Sequence, residues 1–397
     1  MKKTLLLLNG GHSEIPLIRS ARKLGYHVVT TGNNPGLIGH SYADEYHQAD
    51  FSDKNAILSL ASRLSIDKIC ACANDFGALT AAYVAEKLGL PGHDSYDVAL
   101  TLHHKDLFKR LARDININTP TAQSFDSISK AMTRHYDYPV MVKPVDLTGG
   151  KGITRVDHPS ALEGAVNDAL SLSPARRIVI EPYFEGTLHS FSSFIVNGTV
   201  QLYFSDNEYT LSNPYLVSTS AAPALNADQF SSEIITEIEK IAACLNLVDG
   251  IVHAQYLANN DSFTLLEITR RCSGDLHPVP VSYALGVDWA ELIVRAETGE
   301  EGIQLPSQRQ SGFFGRHCIS APVNGIVAGI QFDQEIASNV IDAVMWWESS
   351  PVITDYRNQR LGVVVLRYES MGEMLEKTRN IEHLIRVQLD VDYPVAA

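Results

Sequence analysis

The 397-residue sequence predicts a mixed fold, α/β at the N-terminus and α+β beyond it. Three observations predict it. The first hundred residues alternate short apolar strands with helix-length stretches, the rhythm of βαβ units and a parallel sheet. A later region holds two alternating stretches, from Ile251 and from Ser262, separated by Ala258-Asn-Asn-Asp, which reads as a hairpin. After the linker-like Leu305-Pro-Ser-Gln-Arg-Gln-Ser-Gly, a strand, a turn and a further strand lead into a small α+β tail.

Taken in order, residues 4–8 read as a buried strand, 13–24 as a helix, 27–31 and 68–71 as strands, and 78–88 as a helix closed by Gly89 and Pro91. A dinucleotide fold is the competing reading of this rhythm. Asn9-Gly-Gly-His-Ser-Glu-Ile-Pro lacks Gly-x-Gly-x-x-Gly, which argues against a dehydrogenase. Residues 160–170, the stretch from Glu233 and the stretch from Val287 are amphipathic at helical spacing and read as core-facing helices. In the tail, 361–368 reads as an apolar strand and 371–388 as one amphipathic helix.

Two segments carry chemistry. Pro139-Val-Met-Val reads as a buried strand that holds Lys143 at a fixed place, and Asp146-Leu-Thr-Gly-Gly-Lys-Gly follows it. Gly149, Gly150 and Gly152 let backbone N–H groups approach a phosphate, and Lys151 adds a mobile charge. The spacing is not that of the P-loop, and a plain hairpin turn with solvated lysines is the competing reading. In the second segment, the hairpin sets Gln255 beside Glu267, with Thr269 on the same face. A carboxylate, an amide and a hydroxyl suit Mg²⁺, and Arg270 and Arg271 follow where one of them can clamp a phosphoryl group.

In this order the motifs resemble the ATP-grasp carboxylate–amine ligases, in the branch of L-amino-acid ligases, carbamoyl-phosphate synthetase and biotin carboxylase. The likeness implies an ATP-grasp architecture: an N-terminal parallel-sheet domain over 1–103, a central ATP-grasp domain over 104–305 with a mobile lid at about 121–184, and a C-terminal α+β domain over 306–397. It implies that Lys105 and Lys143 hold phosphates and that Gly149 to Gly152, Lys151 included, close over them. Glu181, Pro182, Tyr183 and Phe184 would frame the adenine. Gln255, Glu267 and Thr269 would hold Mg²⁺, with Mn²⁺ as the alternative ion, and Arg271 the transferred group.

Three positions depart from the family pattern. Thr187-Leu-His-Ser stands where a ribose-binding carboxylate is usual, leaving His189 as substitute; Gln255 replaces an acid; Thr269 replaces an asparagine. Arg316 and His317 are candidates for the substrate carboxylate and for proton handling, against a solvated polar pair at a strand end. His253 and His277 are weaker candidates of the same kind. The implied reaction joins a carboxylate to an amine through an acyl phosphate. A bicarbonate-using carboxylase or carbamoyl-phosphate-type enzyme is the alternative, and a catalytically silent nucleotide binder a third reading.

Composition bounds the rest. A formal charge of −14 argues against nucleic acid as a partner. Five scattered cysteines form neither a zinc pattern nor a disulfide framework, and Cys272 reads as a small buried residue rather than a nucleophile. The apolar run at 5–8 is too short for a signal peptide, and no run approaches a membrane span. The expectation is a cytoplasmic protein acting on small molecules, a homodimer by family likeness.

Overall fold

The computed structural model describes residues 2–307, 309–349 and 351–390. Strands β1 (Thr4–Leu8), β2 (His27–Gly32), β3 (Glu45–Gln48) and β4 (Lys68–Cys70) form a parallel sheet in the order β3-β2-β1-β4. Leu5 to Leu8 are fully buried, because helices cover both faces of a parallel sheet and its strands need no polar side. Helix Asp75–Leu88 begins where the Asn74 side chain accepts from the Phe76 amide (3.0 Å) and ends at Gly89, whose φ of 65° only glycine adopts readily. That cap sets Asp75 in the first helical turn.

A second sheet of β5 (Gln123–Phe125), β6 (Val140–Pro144), β7 (Thr154–Val156) and β8 (Ile178–Pro182), ordered β5-β8-β6-β7, has its own core of Val140, Val142, Val156, Val166, Ile178 and Ile180. Val140 pairs with Val156 and Val142 with Thr154, so the glycine segment closes a β6–β7 hairpin. Gly149, Gly150 and Gly152 take φ of 63°, 73° and 73°, the left-handed region that lets the loop fold back.

The largest sheet is antiparallel throughout. Six of its eight strands are β9 (Thr187–Val196), β10 (Thr199–Tyr209), β11 (Thr219–Ala222), β12 (Gly250–Ala258), β13 (Phe263–Thr269) and β14 (Phe313–Ile319). The other tail strands are β15 (Gly325–Phe332), β16 (Val340–Met345), β17 (Val352–Ile353), β18 (Gly362–Tyr368) and β19 (Ile385–Leu389). The order is β13-β12-β9-β10-β11-β14-β18-β16, and β17-β15-β19 make a small separate sheet. The large sheet therefore runs without a break into the tail. Helix Ala227–Leu245 packs Phe230, Ile234 and Ile238 against Phe191, Tyr256 and Phe263 on one face. The other face carries polar rows.

The tail corrects one expectation. Residues 371–388 are not one helix: Met371–Arg379 and the short Ile381–Leu384 are followed by β19. Ile385, Val387 and Leu389 alternate with Arg386 and Gln388, and this period of two lets β19 pair with β15. No helix among the described residues is long and apolar enough to cross a membrane. The five cysteines are free, and Cys272 lies in the core, where burial raises its thiol pKa, as expected of a small packed residue.

Candidate active site

A cleft of about 900 Å³ lies among the parallel sheet, the β5-β8-β6-β7 sheet and the large antiparallel sheet, and collects residues from 13 to 316. At one end, Lys105 opens helix Lys105–Asp114, and a spacing of four puts Lys109 on the same face. Lys105 Nζ donates to the Leu147 carbonyl (2.8 Å) and lies 3.9 Å from Glu267 Oε2. Lys143, near the end of β6, pairs with Glu181 Oε1, while Lys109 donates to Thr119 Oγ1 and stands 3.3 Å from Glu181 Oε2. Glu181 is thus shared by two ammonium groups. Burial alone would raise its pKa, but Lys109 and Lys143 bring it down to about 2. Burial in turn lowers Lys109 to about 8 against the pull of Glu181.

Met141, Leu188, Leu257, Leu266, Tyr183 and Phe184 form an apolar slot beside this cluster, and Pro182 lies at its edge. The Tyr183 amide already donates to the Pro139 carbonyl (3.0 Å), so it is not free for a ligand's edge. Gly149 and Gly150 line the cleft. Lys151 does not; its side chain is exposed. Gly152 also lies off the cleft, where a Cβ would come within 2.8 Å of Pro144.

In the middle, Gln255 pairs directly with Glu267 across β12 and β13, and His253 with Thr269. All four line the cleft. Gln255 Nε2 donates to Glu208 Oε2 at 2.6 Å, a partner the sequence reading missed. The described residues hold no group of three or more His, Cys, Asp or Glu side chains arranged for a metal ion. One carboxylate, one amide and the Thr269 hydroxyl, whose buried oxygen has no hydrogen-bond partner, match an ion that takes its other ligands from phosphates and water.

At the far end, antiparallel pairing sets Glu208, Ser220 and Arg316 in one row, with Asp206 two residues from Glu208 on the same face. Burial, then the neighbouring Asp206, push Glu208 up to about 8. Arg316 is 4% exposed, lies 3.5 Å from Asp275 Oδ2, and keeps a buried Nε without a partner. Arg271 donates through Nε and Nη2 to both oxygens of Asp75, each at 2.9 Å, so an N-terminal helix grips the arginine. His253, His277, Ser273 and Asp275 complete the wall.

Two candidates face away. His317 follows Arg316 in β14, so the pleat turns it to the opposite face, where it bonds Thr219 Oγ1 (2.7 Å) and burial lowers it to about 3. His189 pairs in register with Tyr256, stacks on its ring and contacts Thr187 and Asn226 beneath the sheet, outside the cleft. Neither has access to a cleft ligand. The missed residues are Lys109, Glu208, Asp206 and Asp275, and Asp75 in its role as the Arg271 partner. A lysine four after Lys105 and acids alternating at 206 and 208 were the available signals.

Residues 104–305, half of the chain, match the family model described as carbamoyl-phosphate synthase L chain, ATP binding domain. The chain belongs to this family, and its architecture is ATP-grasp. Similar solved structures include an L-amino acid ligase from Bacillus licheniformis, with TM-score 0.83 and 18% identity over 98% of this chain and 99% of that one. Phosphoribosylglycinamide synthetase from Anaerococcus prevotii gives TM-score 0.77 and 19% identity over 98% and 100%. The biotin carboxylase domain dimer of 2-oxoglutarate carboxylase from Hydrogenobacter thermophilus, solved with MgADP and bicarbonate, gives TM-score 0.78 and 18% identity over 98% and 91%.

Proposed function

We propose that this member of the carbamoyl-phosphate synthase L chain ATP-binding family is an ATP-dependent ligase that joins a small carboxylate, an amino acid or related acid, to an amine. One observation carries the reading: a single cleft holds a lysine-lined apolar slot, the Gln255/Glu267 pair, and beyond them a chamber with the carboxyl of Glu208 and the guanidinium of Arg316. A nucleotide triphosphate, an ion and a zwitterion match those three zones in turn.

A carboxylate is a poor electrophile, so an amine does not attack it at neutral pH. In the proposed reaction a carboxylate oxygen attacks the γ-phosphorus of ATP, the bond to ADP breaks, and an acyl phosphate forms. The amine nitrogen then attacks the carbonyl carbon, gives up its proton, and inorganic phosphate leaves. Such transfer depends on position and charge more than on a protein nucleophile.

Lys105 and Lys143 hold the phosphates, Tyr183 and Phe184 border the base, and Glu181 accepts from its exocyclic amine. Gln255, Glu267 and Thr269 hold Mg²⁺ or Mn²⁺, which when bound neutralises phosphate charge. Arg271, aimed by Asp75, meets the transferred group, and Arg316 the substrate carboxylate. The hairpin of Gly149 and Gly150 closes over the slot and keeps water from the acyl phosphate. The reading extends to a cytoplasmic homodimer acting on small molecules.

The test is ADP and phosphate release with pairs of amino acids, then with bicarbonate plus biotin or ammonia. Turnover with amino-acid pairs is the expected result. Turnover with bicarbonate alone would replace the amide ligase by a carboxylase, and nucleotide binding without ADP release under any acceptor would leave a silent binder.

A further inference from the structure

Lys109 is a cation that the reaction above does not use. It lies in the cleft wall with a side chain 5% exposed, and its ammonium has two neighbours, Thr119 Oγ1 and, at 3.3 Å, Glu181 Oε2. Glu181 is 2% exposed, and its other oxygen belongs to Lys143. Three charges therefore share one buried corner at the inner end of the apolar slot, two positive and one negative. On the nucleotide-site reading, the two lysines are not equivalent. Lys143 ends a strand beside the glycine hairpin and turns to phosphate when a nucleotide arrives; Lys109 sits a turn deeper than Lys105 on its helix, anchored by Thr119.

When Lys143 leaves, Glu181 loses one of its two counter-charges while a base covers it from solvent. A buried carboxylate with no cation beside it is strongly disfavoured and takes up a proton. A protonated carboxyl can turn its O–H outward, and it then no longer discriminates between a base edge that donates and one that accepts. We infer that Lys109 is a positioning residue for base selection: it remains with Glu181 when Lys143 is drawn to phosphate, and so keeps Glu181 an acceptor aimed at the 6-amino group of adenine. The inference rests on the nucleotide-site reading and adds to it a residue outside the phosphate lysines.

ATP and ITP differ at that edge, a 6-amino donor against a 6-oxo acceptor, so the ratio of their dissociation constants, measured by calorimetry on the full chain, reads the state of Glu181. The wild type is expected to favour ATP by about tenfold or more, the size of one charge-assisted contact. Lys109→Met is expected to weaken ATP and bring the ratio within about threefold of unity, while Lys109→Arg keeps most of the preference because it keeps the charge. A folded Lys109→Met protein with the wild-type ratio overturns the inference.

Because removing Lys109 alone takes one of two cations from a buried carboxylate and can unfold the corner, a second variant that removes both side chains supplies the second arm. Lys109→Met/Glu181→Met should bind ATP and ITP as Glu181→Met does, since Lys109 acts only through Glu181. A double variant more than about threefold weaker for ATP than Glu181→Met would show that Lys109 touches the nucleotide itself, and would overturn the inference. Equal ATP and ITP affinity in the wild type overturns it too while leaving the nucleotide site intact. Failure of the wild type to bind either nucleotide is the failure of the nucleotide-site reading.

Discussion

The two ends of the cleft are built on opposite plans. At the slot end, Lys105, Lys109 and Lys143 outnumber one inward carboxylate, Glu181, and all four come from one helix, Lys105–Asp114, and two strands of the hairpin sheet, β6 and β8. At the chamber end, Asp75, Asp206, Glu208 and Asp275 face Arg271 and Arg316, and these six come from helix Asp75–Leu88, β10, the loop after β13, and β14. The first end carries surplus positive charge awaiting an anion. At the second, both arginines already have acidic partners, and the acids outnumber them, so it selects by geometry rather than by attraction.

If that difference is functional, changes at the chamber end should appear in turnover and changes at the slot end in nucleotide affinity. The sharpest break is Arg271→Met, expected to lower ADP formation by about 100-fold or more while nucleotide affinity moves little, as for loss of a group that meets transferred charge. Steady-state kinetics with separate nucleotide titrations check it, and an equal loss in affinity would dissolve the contrast. Lys143→Met is the mirror image, with affinity for ATP falling about tenfold or more and turnover at saturation less affected.

Asp75→Asn keeps the shape but removes the charge that aims Arg271. It should cost turnover about tenfold, the size of a weakened buried charge-assisted bond, with unchanged nucleotide affinity in the same assay. Lys151→Ala, on an exposed side chain off the cleft, is the control and should change ATP affinity less than about twofold.

The histidines sharpen the contrast through stability. His317 is lowered to about 3 by burial and then by Arg360 and Arg316, and His189 to about 4 by burial, so both are neutral in the folded protein. The unfolded chain takes up their protons below the ordinary value of 6.5, so the stability each contributes is present above pH 6.5 and lost as pH falls toward its folded value. Each should remove up to about 1.4 kcal/mol per pH unit over that window. Urea unfolding at pH 7.5 and 5 should find His317→Asn less pH-dependent than the wild type. A pH-rate profile tracking His317 instead would return it to the site.

Much of the slot end and of the middle of the cleft was readable because the parts are local: a strand with Lys143 near its end, three glycines, and an alternating hairpin with Gln255 opposite Glu267. The chamber end was hidden, since Glu208 and Arg316 become neighbours only through the pairing of β10, β11 and β14. His189 and His317 show the same limit from the other side. Each lies within a residue of a cleft-facing position, and one step along a strand turns a side chain to the opposite face. The helix expected over 371–388 failed at its end, where a period of two, short and mixed with charge, is easily taken for helical spacing.

The unbroken sheet from β13 to β16 has a consequence for handling the protein in pieces. Cutting the chain near residue 306 would strip β14 from β11 and leave Thr219–Ala222, four buried residues, as an open edge with unpaired amides and carbonyls. Such an edge recruits the nearest strand from another molecule. The stretch that carries the family's signature is thus not a detachable module here: its solubility depends on the tail that caps its sheet.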